Sequence, residues 1–261
     1  MAFEESIVAR MDSLVSPSTA VRGARQVLST HDQIVRALGQ EILSGRIQPG
    51  EKLPMEADLL ERFGVSRTAL REAMKTLAAK GFLSVKTRVG TRVTDPLNWN
   101  YFDKEVLAWH VSGGMDADFR RNLAEVRRAL EPAAAALAAE RRTTADLAAM
   151  RSALDLMRQE SRSEYAFARA DLALHLAIGA ASQNPMMRSL ASVIETALLE
   201  AFTLSPPTRE PRLHTETVEA HARIVDRIEA RDAEGASAAM LAVIDAGYQR
   251  VESEKGDRNR S

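Results

Sequence analysis

An acid and an imidazole lie four residues apart in one of the most apolar stretches of the chain. Asp171 and His175 are surrounded mainly by alanine, leucine and isoleucine between Ala168 and Ile178, so a helix here would be buried on nearly every side. Both side chains would lie on one face of that helix. Because a buried carboxylate is costly unless it is paired or bound to a cation, the two residues predict either a buried hydrogen bond or part of a metal site.

A second imidazole, His221, lies on another predicted helix and could supply a third ligand. Two imidazoles and a carboxylate form a nitrogen and oxygen donor set that suits a divalent metal ion, but that does not distinguish Zn, Ni and Mn. Three protein ligands would leave coordination positions open. A hydroxy acid could fill them through its carboxylate and hydroxyl oxygens.

The motifs of several common enzyme classes are missing from the sequence. We find no HExxH metalloprotease motif, no nucleophile elbow and no phosphate-binding glycine loop. The sequence therefore predicts a binding protein rather than an enzyme. A metal-dependent enzyme acting on a hydroxy acid is the alternative.

Positive charge is concentrated in a second region of the chain. Residues 62–92 carry eight basic side chains and one acidic side chain, whereas the whole chain has a net charge of -1. A helix that begins near residue 66 would separate polar from apolar side chains, at 100° per residue. The hydrogen-bond donors share one arc of this helix, namely Arg67, Thr68, Arg71 and Lys75. The apolar side chains share the opposite arc, namely Leu70, Ala73, Met74 and Leu77.

A helix with a packed apolar side and a basic outer side is what recognition of a DNA duplex requires. The hydroxyls of Ser66 and Thr68 can bind phosphates at the start of this helix. Arg67 and Arg71 can reach base edges in the major groove, and Lys75 extends the same face. A winged helix that binds protein instead of DNA is the alternative.

The elements that position these residues form two sets. The first set has helices at 30–44, 55–63 and 66–80, with a two-strand wing over 82–86 and 91–94 joined across Gly90. The second set is helical throughout, with helices at 102–112, 117–141, 144–160, 163–181, 185–203, 213–230 and 232–253. The predicted fold is mainly α: an N-terminal winged helix-turn-helix followed by an all-α antiparallel helical bundle of six to seven helices.

The predicted domain organisation follows these elements along the chain. It comprises a mobile N-terminal extension at 1–29, the winged helix-turn-helix at 30–94, a linker at 95–101, an all-helical effector-binding and dimerisation domain at 102–253, and a disordered tail at 254–261. No apolar run approaches 18 residues, and no cysteine is present. We therefore expect a cytoplasmic protein that does not enter the membrane.

Residues 31–94 resemble the winged helix-turn-helix of the GntR family of bacterial regulators. This resemblance is carried by Ile42-Leu43-Ser44-Gly45, Pro49-Gly50, Leu53-Pro54, Phe63-Gly64-Val65-Ser66-Arg67, Leu70-Arg71-Glu72-Ala73, Leu77, Gly81 and Gly90. The C-terminal half resembles the helical effector domain, called FCD, of the FadR-type subfamily. Its marks are Glu125-Val126-Arg127, Leu130-Glu131-Pro132, Asp171 with His175, Asn184-Pro185, and His221 with Ile224-Val225-Asp226.

The resemblance implies a homodimeric repressor that binds a double-stranded operator and is released by a sugar acid or another small carboxylate. It implies a wing around Arg88 and Gly90 that approaches the minor groove. It also implies effector contacts from Arg127 and Asn184, and a divalent metal ion on the Asp-His-His set described above. A salt bridge between Arg127 and Glu131 is the alternative role for that arginine, and a metal-free regulator of a different carboxylate is the alternative for the whole site.

Two positions depart from the family pattern. Ala57 stands where most members have an arginine near the DNA backbone, so one family contact is expected to be missing. Val243 stands where the family often has a further metal-binding histidine, which leaves three protein ligands.

Overall fold

The computed structural model describes residues 29–86, 90–160, 163–189, 193–196 and 206–258. The described residues form two compact units, of which the first ends at Met115 and the second begins at Asp116. Arg88 and residues 1–28 of the predicted N-terminal extension lie outside the described residues. No helix in the described ranges is long and apolar enough to cross a membrane.

The first unit is the predicted winged helix-turn-helix. Its elements are α1 (Thr30–Leu43), α2 (Glu56–Phe63), α3 (Arg67–Ala79), β1 (Leu83–Lys86), β2 (Gly90–Val93) and α4 (Lys104–Ser112). The two strands pair antiparallel, with Leu83 opposite Val93. Ser66 caps α3 as predicted, because its hydroxyl accepts a hydrogen bond from the Ala69 backbone N–H.

Helix α4 belongs to this unit, although the sequence placed it at the start of the effector domain. Trp109 on α4 is buried in the same apolar core as Ile34, Leu77 and Phe82, and its ring meets that of Phe82 edge-on at a centroid distance of 5.8 Å. Phe82 also stacks on Trp99 at 4.7 Å. The predicted domain boundary at 102 is therefore wrong, because these ring contacts hold residues 95–112 to the winged helix.

Two of the basic residues in the 62–92 segment are structural. Lys80 is buried and donates to Asp103 at 2.7 Å, with Glu105 at the same distance. Arg62 forms an ion pair with the buried Glu41. Lys80 is one of the eight basic side chains of residues 62–92, but it adds nothing to a basic surface, because its charge is neutralised inside the unit.

The second unit is an all-helical bundle. Its helices are α5 (Ala117–Arg141), α6 (Thr144–Gln159), α7 (Glu164–Ala181), α8 (Pro185–Arg188), α9 (Pro211–Glu229) and α10 (Ala233–Arg258). The predicted helix at 185–203 is described only in part, since residues 190–192 and 197–205 lie outside the described ranges. Helix α10 continues to Arg258, so the disordered tail predicted from residue 254 is wrong for residues 254–258.

Helix α7 is central to this bundle. Its apolar side chains Phe167, Leu174 and Ile178 are fully or almost fully buried, and α7 packs against α5 and α6. The predicted burial of this helix on nearly every side is what brings Asp171 and His175 into the interior. The apolar sequence therefore determines the environment of the two candidate ligands.

We expect Gly81→Ala to destabilise the winged-helix unit by roughly 2–4 kcal/mol, because it combines a left-handed residue with a backbone overlap. Gly81 has φ of +86°, and a Cβ added there would lie 2.0 Å from the Asn98 carbonyl oxygen. The change is measurable by urea unfolding followed by tryptophan fluorescence, since both tryptophans of the chain, Trp99 and Trp109, lie in this unit.

Gly64→Ala is the matched control. Gly64 also has positive φ, at +63°, but nothing lies within 4 Å of an added Cβ. We expect it to cost only the conformational part, roughly 1–2 kcal/mol. Equal losses in the two variants would show that the close approach of Asn98 to Gly81 does not contribute.

Candidate metal centre and nucleic-acid interface

Asp171, His175 and His221 converge inside the helical unit, as the sequence predicted. One ligand atom from each residue lies within 4.8 Å of the others, and all three residues are buried. The Asp171 Oδ1 atom is 2.7 Å from His221 Nε2 and 3.9 Å from His175 Nε2. A divalent ion bound at about 2.0–2.2 Å holds its neighbouring ligand atoms roughly 3.0–3.5 Å apart. The observed distances bracket that range.

The other ring nitrogen of each histidine is already engaged. His175 Nδ1 donates to Glu131 Oε2 at 2.6 Å, and His221 Nδ1 donates to the Thr217 carbonyl oxygen at 2.7 Å. Because both partners accept only, the proton of each neutral imidazole lies on Nδ1, and the Nε2 lone pair faces Asp171. Carboxylate and carbonyl partners of this kind orient metal-binding histidines in proteins.

The three converging atoms have no hydrogen-bond partner among the described residues. His221 Nε2 and Asp171 Oδ1 are close, but they are not aligned as a hydrogen bond. Two imidazole lone pairs and a carboxylate oxygen repel one another unless a proton or a metal ion lies between them. With both imidazoles neutral, the donor set therefore fits a divalent ion.

Glu131 is a candidate site residue that the sequence analysis named only as a salt-bridge partner of Arg127. It is buried between the Arg127 guanidinium, with which it forms an ion pair, and the His175 ring. Burial opposes its ionisation, but the Arg127 guanidinium and the hydrogen-bonded His175 ring outweigh burial and lower the pKa of Glu131 to about 2. Glu131 is thus a permanent anion that holds His175 in position.

Asp171 and His221 influence each other in the same way. Burial raises the pKa of a carboxyl group, but the charge of His221 outweighs burial and holds the pKa of Asp171 below its usual value. Burial lowers the pKa of an imidazole, but Asp171 outweighs burial and raises the pKa of His221. The pair thus favours opposite charges at this point, and a metal ion would supply the positive charge instead of the proton.

A cavity of about 730 Å³ opens beside the cluster. Asp171, His175 and His221 line it together with Arg127 and Val243. Its volume is that of a small-molecule binding site. Val243 supplies no metal ligand, so coordination positions of an ion bound here would face the cavity.

The structure does not bring Asn184 to this cavity. Asn184 caps helix α8, where its side-chain oxygen accepts from the Met186 backbone N–H at 3.0 Å, and it is absent from the described residues that line the cavity. Its predicted effector contact is therefore unsupported. Its Asx-Pro sequence is explained by the helix start instead.

The outer face of α3 carries the predicted DNA-binding residues. Ser66, Arg67, Thr68, Arg71 and Lys75 are all exposed, and the side chains of Arg67 and Arg71 are 77% and 68% accessible. Gly90 begins strand β2 with φ of +92°, and it is exposed as well.

An acidic residue lies beside this basic face. Glu56 at the start of α2 is 3.8 Å from Arg67 and 4.0 Å from Arg71, next to the exposed Ala57. Both distances are at the limit of an ion pair, so the two guanidinium groups stay available for other partners. A basic helix face of this kind on a winged helix-turn-helix is typical of a DNA-binding protein.

Comparisons with known proteins identify the class. Residues 30–93 match the model of bacterial regulatory proteins of the gntR family, and residues 122–246 match the FCD domain. The chain therefore belongs to the GntR family of transcriptional regulators and has an FCD domain. Its domains and relatives are those of DNA-binding regulators and not of enzymes, which confirms the prediction of a regulator over the enzyme alternative.

Relatives match along nearly their whole length. The galactonate operon transcriptional repressor of Escherichia coli (strain K12) is 34% identical over 227 residues, which cover 86% of this chain and 97% of that protein. LutR of Bacillus subtilis (strain 168) is 35% identical over 210 residues, with coverages of 77% and 91%. The solved structure of Lar, which controls expression of the Listeria monocytogenes agr system, aligns with a TM-score of 0.60 at 20% identity, over 88% of this chain and 99% of that one. That last likeness concerns the fold alone.

We expect Glu131→Gln to weaken binding of a divalent ion roughly 10- to 100-fold, because it removes the anion that orients His175. Titration calorimetry with Zn²⁺, Ni²⁺ and Mn²⁺ measures the affinity. Glu216→Gln is the control, since Glu216 lines the same cavity but forms an exposed ion pair with Arg212. Unchanged affinity in Glu131→Gln would contradict the role given to Glu131.

Proposed function

We propose that this GntR-family protein is a repressor that leaves its operator when a small hydroxy carboxylate binds at a divalent metal ion in the helical unit. The observation that carries the proposal is the convergence of Asp171 Oδ1, His175 Nε2 and His221 Nε2 on the wall of a large cavity. All three atoms are buried, and no described residue forms a hydrogen bond with them. When bound, the ion supplies Lewis-acid coordination for oxygen ligands.

The residues of the chain have separate tasks in this proposal. Asp171 and the two histidines hold the ion, Glu131 and the Thr217 carbonyl orient the rings, and Arg127 lies where it can bind a carboxylate in a bidentate manner. Arg127 already pairs with Glu131, so an effector carboxylate would share this guanidinium rather than find it free. Two relatives support a hydroxy-acid effector, since they are named for a galactonate operon and an L-lactate dehydrogenase operon.

Release from DNA requires a difference in affinity between two arrangements of the protein. The effector must bind the arrangement with weak operator affinity more tightly, since equal binding to both arrangements would shift nothing. We propose that the regulator acts in the cytoplasm as a homodimer, because two recognition helices then read the two half-sites of a pseudo-palindromic operator.

On the DNA side, we propose that α3 enters the major groove. Ser66 and Thr68 lie at the helix N-terminus, where hydroxyls and backbone N–H groups can bind a phosphate. Arg67 and Arg71 project from the same exposed face and are suited to guanine. Lys75 follows one turn later but pairs with Glu72 at 2.9 Å, which favours a weaker role at the backbone.

We expect Arg71→Ala to weaken operator binding roughly 10- to 100-fold without unfolding the protein, because a bidentate contact between arginine and guanine is worth about 1–3 kcal/mol. Fluorescence anisotropy with labelled operator at fixed salt measures the affinity. Arg121→Ala removes an equal charge from the exposed Arg121–Asp118 pair of the helical unit and serves as the control. If Arg71→Ala bound the operator as the wild type does, α3 would not be the recognition helix.

We expect His175→Ala to abolish release by the effector while operator binding is retained, because the mutation removes one of three metal ligands. The assay first screens aldonic, uronic and short hydroxy acids by thermal shift, with and without a chelator, since a ligand of the folded state raises the melting temperature. It then measures release of labelled operator. His110→Ala is the control, because His110 lies in the winged-helix unit and not among the described residues of the cavity. Normal release in His175→Ala, or shifts that resist the chelator, would refute the metal-dependent pocket.

A further inference from the structure

One arginine of the cavity has a buried Nε atom that no described residue accepts from. Arg250 on α10 lines the cavity wall, and its Nε atom is buried without a hydrogen-bond partner among the described residues. A guanidinium group carries five N–H donors and keeps its proton in proteins, so burial without an acceptor is unfavourable for it. A structural arginine in a helical bundle would be expected to have an acceptor nearby.

Two other arginines that line the cavity show what such pairing looks like. Arg120 donates from Nε to Glu252 at 2.9 Å, and Arg127 forms its ion pair with Glu131. Both are therefore neutralised within the protein. Arg250 differs from them, although it lines the same cavity.

Arg250 lines the same cavity as the candidate metal ligands Asp171, His175 and His221. Burial lowers the pKa of Arg250, and the negative charge of Asp171 acts in the opposite direction. The positive charge of Arg250 in turn lowers the pKa of His221. The guanidinium of Arg250 and the Asp-His-His cluster thus belong to one cavity, which Arg127 lines as well.

The charges of this site do not balance once a divalent ion is bound. In formal charge, Arg127 and Glu131 sum to zero, and so do Arg250 and Asp171, so a divalent ion adds two positive charges to these four groups. Exposed charges at the mouth, such as Arg223 and Glu216, are screened by water and contribute little. A ligand with two negative charges would neutralise the interior, whereas a monocarboxylate would leave one positive charge buried.

We propose that the effector carries two anionic groups: an α-hydroxy carboxylate that binds at the metal ion, and a second carboxylate or phosphate that binds Arg250. This inference rests on the proposed function and deepens it. A guanidinium group binds either kind of anion through two parallel hydrogen bonds. A cavity of about 730 Å³ has room for an acid of six carbons, and both Arg250 and the candidate metal ligands line it.

The test uses acids that differ in the second group alone, with the metal-loaded full-length protein. The pairs are galactarate against galactonate, malate against 2-hydroxybutyrate, and 6-phosphogluconate against gluconate. Dissociation constants come from calorimetry, with thermal shift as a second readout. We expect the wild type to bind the dianion of at least one pair about ten-fold or more tightly than its partner, since a charge-assisted hydrogen bond is worth about that factor. The dicarboxylate and phosphate pairs show which second group is preferred.

Three variants assign the preference to Arg250. We expect Arg250→Gln to abolish the preference, so that both acids of a pair bind with about equal affinity, because the variant binds the dianion more weakly and the monoanion as before. We expect Arg250→Lys to retain part of the preference. Arg223→Gln is the control, because it removes an exposed charge from the mouth of the same cavity. We expect it to keep the full preference.

The outcomes separate this inference from the proposed function. Metal-dependent binding of monoanions as tight as that of the dianions, or a dianion preference that persists in Arg250→Gln, would overturn the role of Arg250 and leave the metal-dependent pocket standing. The absence of metal-dependent binding by any of the acids would overturn the proposed function and this inference with it. If the Arg250 variants do not fold, the wild-type comparison still decides whether the effector carries a second anionic group.

Discussion

The burial of two carboxylates in one helical core is the constraint on which the rest of the second unit depends. Glu131 and Asp171 are nearly inaccessible, and each needs positive charge beside it. Arg127 and His175 satisfy Glu131. Asp171 is left with His221 in contact but out of alignment. Three helices must therefore meet at fixed positions, and the apolar packing of α7 against α5 and α6 supports that arrangement.

Local periodicity accounts for what the sequence predicted correctly. Asp171 and His175 are one turn apart in an apolar helix, so their shared burial could be inferred from neighbouring residues alone. The basic face of α3 was predictable for the same reason, since its exposed donors follow the helical repeat. Predictions of this kind succeed where a helix determines which residues share a face, before any tertiary contact is known.

Contacts between distant residues account for what was missed. Glu131 is a candidate site residue because α5 packs where its carboxylate meets His175, which is 44 positions away. The sequence analysis counted Lys80 among the basic side chains of residues 62–92 and placed Trp109 in the effector domain. Both residues are packed into the winged-helix unit. For Asn184, a local role accounts for the residue instead, since it caps a helix and needs no ligand to explain it.

The packing of α4 on the winged helix determines where the DNA-binding unit can be separated from the rest of the chain. Gly39 is so close to the Trp109 ring that an added Cβ would lie 2.4 Å from it. A fragment that ends after the wing would lack Trp109 and expose the apolar surface around Gly39 to water. A chimaera joined at that point would place the corresponding helix of another protein against Gly39. The exchangeable module ends at Met115, so swapping sensors among relatives of this fold calls for a junction after α4.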